Sequence, residues 1–241
     1  MTKNKSNTLF YIGIVLLAIG AFGLTFAAFF AIIGLPIFIL GIILVLLSRT
    51  TWKRRLVTIG VFIALVFVFW PVWLRINKIG PEVFLIPDDY RGRITIIFKK
   101  DCGINLEKTK EGLVYDIPND GILLLSNEQK YGIIDHTYYL VDENGNRNEL
   151  PKMDVRDFNE EWTLEKNPNE PPRDKLGVFH WGRTGSTGRV IGQNGEVLNE
   201  DEQYTFLEFY ISTYEDLSKS FGFKYERKID TIIKSKMKQC K

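Results

Sequence analysis

The chain has 241 residues, 45% of them hydrophobic, with 31 Lys+Arg against 29 Asp+Glu. Those averages describe an ordinary soluble domain, but the charges are segregated: the first acid is Glu82, and six basic residues (Lys3, Lys5, Arg49, Lys53, Arg54, Arg55) precede position 75. The distribution excludes a single soluble fold, an intrinsically disordered chain and a generally basic nucleic-acid binder.

Leu9 to Leu47 runs for 39 residues without a charge. One helix of that length would reach roughly 58 Å, nearly twice the ~30 Å hydrocarbon core of a bilayer. Two spanning helices, about 8–27 and 29–47, fit better, with the turn near Thr25–Phe30 and Gly34-Leu35-Pro36 bending the second. A third apolar run, Leu56–Leu74, predicts one more span. A cleaved secretory signal is the weaker reading, because the apolar stretch continues past Ala27-Ala28 and no polar segment follows. Residues 75–82 read as a linker.

Orientation follows from the bases. Lys3 and Lys5 precede the first helix, and Arg49-Thr50-Thr51-Trp52-Lys53-Arg54-Arg55 separates the second from the third. The positive-inside rule puts both in the cytoplasm, so everything after Leu74 lies outside, with Arg75 and Lys78 on that outer side as a smaller opposing signal. Trp52 at one end of the third span, and Trp70 and Trp73 at the other, match the aromatic belts of two interfaces. Gly13, Gly20, Ala27, Gly34 and Gly41 recur every seven residues, as a stripe for close helix packing would. The absence of any charged residue or histidine within the spans argues against a pump, channel or transporter.

The region 83–241 predicts a β-rich domain, and a β-sandwich with C-terminal helices is the expected α+β fold. Candidate strands are Val83–Ile86, Arg93–Phe98, Leu113–Ile117, Ile122–Leu125, Thr137–Asp142, Arg189–Ile191 and Tyr204–Ile211. Ile94, Ile96 and Phe98 alternate with Arg93 and Thr95 as in a half-buried antiparallel strand. Asn144-Gly145 is the strongest hairpin signal, and Pro151 to Pro172 reads as a long polar surface loop. Ser212-Thr213-Tyr214-Glu215 has capping-box spacing for a helix over 213–221 that places Tyr214, Leu217 and Phe221 on one face and stops at Gly222. A second helix over 226–238 gathers Ile229, Ile232, Ile233 and Met237 on a single stripe. From Phe223 to Lys241 there are seven bases and two acids, and from Glu196 to Asp216 seven acids and no base. Pairing of these two blocks is the plainer expectation; a basic helix lying on anionic lipid or an acidic partner is the sharper one.

Phe84-Leu85-Ile86-Pro87-Asp88-Asp89-Tyr90-Arg91-Gly92-Arg93-Ile94, with Tyr115-Asp116-Ile117-Pro118-Asn119-Asp120-Gly121-Ile122-Leu123 after it, resembles the opening of a bacterial extracytoplasmic domain family of unknown function. The resemblance covers 83–125 and extends weakly to Gly182–Gly188 and Tyr204–Asp216. It implies a small β-rich fold of a kind often lipid-anchored or membrane-tethered. The anchor departs from that pattern, with three helices in place of a lipidated cysteine. No residue inherits a role.

Cys102 and Cys240 are the only cysteines. A disulfide between them and two separate thiols are equally open, and neither spacing forms a zinc site. His136 and His180 are the only histidines. His180-Trp181-Gly182-Arg183-Thr184-Gly185-Ser186-Thr187-Gly188 fits neither a nucleophile elbow, which needs Gly where Thr184 stands, nor a phosphate loop. It reads as a structural or ligand-contacting loop, with Trp181, Arg183, Gly185 and Gly188 as contact residues. Asp142, Asn144 and Asn146 lack the glycine and glutamate positions of a calcium loop.

The residues together predict a three-span bacterial inner-membrane protein, its N-terminus cytoplasmic, presenting an extracytoplasmic binding domain. Expected partners are the bilayer and another envelope or membrane protein, with no nucleic acid, cofactor or metal. Two further readings are an envelope hydrolase using His180 and Ser186, supported by Asp135 or Asp174, and an accessory subunit docking through its helix stripe.

Overall fold

The computed structural model describes residues 3–26, 28–188, 191, 193–194, 196, 203–220 and 223–240. The chain divides into two units, Met1–Lys78 and Ile79–Lys241.

In the first unit, α1 (Lys3–Phe26), α2 (Ala28–Leu47) and α3 (Trp52–Ile76) are each long and apolar enough to cross a membrane. Pro36 sits inside α2 without ending it. The third helix begins four residues before the predicted Leu56, because the basic turn folds onto the helix ends. The Arg55 Nη1 donates to the Leu46 carbonyl at 2.8 Å and its Nε to the Thr50 carbonyl at 3.0 Å. The Leu46 carbonyl, in the last turn of α2, has no partner within its helix. The Arg54 guanidinium lies 4.7 Å from the centroid of the Phe10 ring.

The α1 and α2 backbones approach where a side chain would not fit. A Cβ on Gly20 would stand 2.5 Å from the Phe38 nitrogen, and one on Gly41 2.7 Å from the Leu17 nitrogen. One on Gly13 would meet the Val45 side chain at 2.8 Å, and one on Gly34 the Gly23 backbone at 2.9 Å. Phe10, Leu17, Phe38 and Val45 are buried along the same seam. These contacts engage the glycine stripe within the chain itself, and Gly23, which the seven-residue spacing skips, joins it. Ala27 lies outside the described residues. The third helix buries none of its side chains.

The second unit is α+β. Its strands are β1 (Glu82–Pro87), β2 (Gly92–Phe98), β3 (Lys108–Thr109), β4 (Gly112–Asp116), β5 (Ile122–Leu124), β6 (His136–Val141), β7 (Arg147–Glu149), β8 (Gly177–Ser186) and β9 (Thr205–Ser212). They form one sheet in the order β3-β4-β1-β6-β7 and a second in the order β5-β2-β9-β8. Both sheets are mixed, not antiparallel: β1 runs parallel to β4 and β6, and β2 runs parallel to β5 but antiparallel to β9. Side chains from both sheets enter one apolar cluster, including Phe84, Ile94, Ile96, Tyr138 and Phe209. The Asn144-Gly145 hairpin joins β6 to β7; Gly145 has φ +81°, and the Asp142 carboxylate accepts from the Asn144 and Asn146 amides at 2.9 and 2.8 Å. The hydrogen bonds from Asn146 hold that carboxyl below the usual range.

The predicted half-buried strand β2 is covered on both faces. Ile94 and Ile96 enter the shared core, yet Arg93, Thr95 and Ile97 are also buried. The cover is α5 (Phe223–Gln239), whose Ile233 packs on Ile97 and Ile122. Asp230 pairs with Arg93 at 2.7 Å, and Lys236 pairs with Asp120 at 2.5 Å while donating to the Ile122 carbonyl at 2.9 Å. These ion pairs run to β2 and the β4–β5 turn; Glu200, Asp201 and Glu202 of the acidic block expected as partner lie outside the described residues. Cys240, at the end of α5, is joined to Cys102 in the turn after β2, with Cα atoms 5.3 Å apart.

The helix α4 (Tyr214–Ser220) is capped one residue later than the spacing predicts. Thr213 Oγ1 accepts from the Asp216 amide at 3.1 Å and donates to the Asp216 carboxylate at 3.0 Å, so Thr213 caps the helix in place of Ser212. Phe221 and Gly222 lie outside the described residues. The segment read as a polar loop from Pro151 contains a 3-10 turn, Val155–Asp157, and sends Met153 and Phe158 into a second cluster with Phe179, Tyr214 and Leu217. Residues 189 and 190 of the candidate strand Arg189–Ile191 also fall outside the described set.

Candidate ligand-contacting site at the β8 bulge

The stretch read as a loop is the end of a ten-residue strand. β8 pairs with β9 as Phe179↔Tyr210, loses register, and resumes at Arg183↔Glu208. Four steps along β8 therefore match two along β9, and the surplus forms a bulge. The φ angles of +53° at His180 and +75° at Gly182 turn the chain back into register. A glycine takes that conformation without strain, whereas a histidine there stores some. Bulges re-aim side chains, and beside this one Arg183 and His180 lie near a carboxylate.

Glu208 is that carboxylate, and it is buried. Arg183 Nη1 pairs with its Oε1 at 3.0 Å, while the Arg183 side chain remains 58% exposed. Trp181 is 39% exposed, and the Lys152 ammonium stands 5.5 Å from its ring centroid. The His180 ring lies edge-on to Tyr210, 5.6 Å between centroids. Burial, and then the nearby Arg183 charge, lower the His180 pKa, partly opposed by Glu208 and Asp154. Burial and the Arg183 charge both favour the neutral imidazole. Asp154 is itself gripped by Arg156, whose hydrogen bonds hold its carboxyl below the usual range.

Ser186 is not beside His180. It pairs with Thr205, five residues along β9 from Tyr210, a separation of roughly 16 Å at ~3.3 Å per residue. Nucleophile and base need about 3 Å. Of the two proposed supporting acids, Asp135 immediately precedes β6 in the other sheet and gives its carbonyl to the Glu82 amide at 2.9 Å. Asp174 is exposed in the turn before β8. The hydrolase constellation is not assembled. A Cβ on Gly185 would meet the Phe206 ring at 2.6 Å, so this glycine serves packing, while one on Gly188 would meet nothing within 4 Å.

The second histidine belongs to a network that spacing does not suggest. The parallel register sets Glu82 beside His136 and Phe84 beside both Tyr115 and Tyr138. His136 Nε2 lies 2.8 Å from Glu82 Oε2, Tyr115 donates to Glu82 Oε1 at 2.9 Å, and His136 Nδ1 lies 3.0 Å from the Tyr138 hydroxyl. Phe84 stacks between the two phenols, 4.6 and 4.8 Å from their centroids. All five side chains are buried, and burial, followed by the Glu82 charge, pushes both phenols far up from their ordinary value. With all five side chains buried, the network ties β1, β4 and β6 together within the sheet.

The sequence pattern that defines the family of unknown function DUF6843 matches residues 78–221. No curated protein matches the chain. Among solved structures, one titled "2.75 Angstrom Crystal Structure of Putative Lipoprotein from Bacillus anthracis" is similar at 17% identity and a TM-score of 0.41, over 66% of this chain and 94% of that one.

Proposed function

We propose that this chain, which belongs to the DUF6843 family of unknown function, is a three-span protein of a bacterial inner membrane that presents an interaction domain on the extracytoplasmic side. The observation that carries the reading is the succession of three long apolar helices followed by the sheet unit, with six bases (Lys3, Lys5, Arg49, Lys53, Arg54, Arg55) at the ends read as cytoplasmic against two (Arg75, Lys78) at the other. The excess of bases on one side favours a cytoplasmic N-terminus and an exported sheet unit. An oxidising compartment is also where the Cys102–Cys240 bond would persist. The bilayer is the partner that would cover the apolar side chains of α3, and the glycine seam serves to pack α1 on α2. The core shared by the two sheets supports a sandwich-like packing of the sheet unit.

Binding, and not hydrolysis, is the favoured activity. The bulge offers an exposed Trp181 under a cation and an Arg183 whose other donors reach outward, an arrangement suited to contact with a partner. Trp181→Ala is expected to abolish the adducts that amine-reactive cross-linking of intact cells forms on the sheet unit, without lowering its melting temperature; Arg183 is left in place because it pairs with the buried Glu208. An unchanged adduct pattern would place the contact elsewhere, and no adduct on the native protein would contradict the interaction reading. His180→Ala and Ser186→Ala are expected to leave the pattern and the phenotype intact. Loss of a hydrolytic activity in either, with the fold preserved, would restore the enzyme reading.

A further inference from the structure

Between the 3-10 turn and β8 the chain runs through residues 158–173 without regular structure, yet it is fastened from within. Asn159 is the hub. Its Oδ1 accepts from the Asn167 amide at 2.6 Å, and its Nδ2 donates to the Asn167 carbonyl at 2.9 Å and to Glu170 at 2.8 Å. The tip closes on itself, with the Glu160 amide donating to Thr163 Oγ1 at 2.9 Å and the Thr163 amide to the Glu160 carbonyl at 3.0 Å. At the base Phe158 stacks on Tyr214 at 3.9 Å, and the Tyr214 hydroxyl donates to Glu160.

From this fastened loop two apolar side chains project. Trp162 is 78% exposed and Leu164 is 100% exposed. Scattered surface leucines need no explanation, but two large apolar groups at the tip of an internally braced loop contribute nothing to the fold that holds them. A tryptophan held in advance loses little freedom on binding, and buried tryptophans dominate interface energetics. The immediate neighbours decide the kind of partner. Glu161 and Glu165 flank the two side chains, both are exposed, and neither is ion-paired among the described residues. Two carboxylates at the tip would be repelled by an anionic bilayer surface. They complement a protein pocket that is apolar inside and basic at its rim.

We propose that the Trp162–Leu164 tip is a docking point for a partner protein, inserted into an apolar pocket rimmed by Lys or Arg. The inference rests on the interaction reading above and assigns it a second contact, separate from the bulge. Its test uses the full-length chain in the cell membrane with a diazirine-bearing aliphatic residue at position 164, which keeps the apolar tip. A single protein adduct is expected, falling about tenfold or more with Trp162→Ala. It is also expected to fall with Glu161→Lys/Glu165→Lys and at raised salt, with the cross-linked partner peptide carrying apolar residues next to Lys or Arg. Each variant keeps the native melting temperature, because the replaced side chains touch nothing in the core. An adduct extractable as lipid, or a protein adduct indifferent to Trp162→Ala, would overturn the proposal. Silence at 164 with capture by the same probe at Trp181 would overturn it alone, and silence at both positions would remove the interaction reading as well.

Discussion

Replacing Glu82 by alanine is expected to destabilise the sheet unit by about 3–5 kcal/mol. The reason is what remains. His136 Nε2 at 2.8 Å and the Tyr115 hydroxyl at 2.9 Å both direct their hydrogens at this carboxylate. Neither can turn to water, since His136 and Tyr115 are each 3% exposed. Burying a polar group without a partner costs far more than the bond contributes when made. Tyr115→Phe removes a donor and leaves the carboxylate its histidine, so it is expected to cost less, about 1–3 kcal/mol. Urea unfolding of the full-length protein in detergent, read on the transition of the sheet unit, measures both. A loss below about 1 kcal/mol for Glu82→Ala would mean that water reaches this pair.

The second large effect concerns Cys102 and Cys240, which are 138 residues apart in sequence. In the chain-entropy treatment a cross-link closing a loop of that size contributes about 5 kcal/mol at 25 °C, an upper bound when the cross-linked end is a terminal helix. Cys102→Ser/Cys240→Ser is therefore expected to lower the melting temperature of the sheet unit, and α5 is expected to exchange its backbone hydrogens first. Ile233 against Ile97 and Ile122, with the Asp230–Arg93 and Lys236–Asp120 pairs, are what hold α5 once the bond is gone. Ion pairs with an exposed partner contribute little, so the residual attachment depends mainly on Ile233 with Ile232 and Met237 packed beside it. Quantitative labelling of both thiols in the untreated native protein would show that they do not pair.

Which features are readable from the sequence follows from the range of the interactions behind them. The apolar helices are legible because a run of 39 uncharged residues is itself the physical requirement for spanning. Asn144-Gly145 is legible because the turn is local. By contrast, β8 reads as a loop because Gly182 and Gly185 break any strand pattern; its conformation comes from pairing with β9, about 25 residues on. Arg93 and Thr95 read as solvent-facing because strand alternation reports one apolar face and is blind to α5 covering the other. The isoleucine stripe of α5 is visible in the sequence, but not its docking place. Glu82 stands in the segment read as a linker, and nothing in its 54-residue spacing from His136 hints that a parallel register aligns the two. At the bulge, Trp181 and Arg183 are conspicuous, whereas Glu208 and Lys152 reach the site through pairings that no local pattern encodes.

The central claim is that the three apolar helices anchor the chain so that the sheet unit lies outside the cytoplasm. A reporter enzyme that is active only after export, fused after Lys241, tests it most directly. The predicted result is high activity there and none for a fusion after Arg55. Silence after Lys241 together with activity after Arg55 would contradict it.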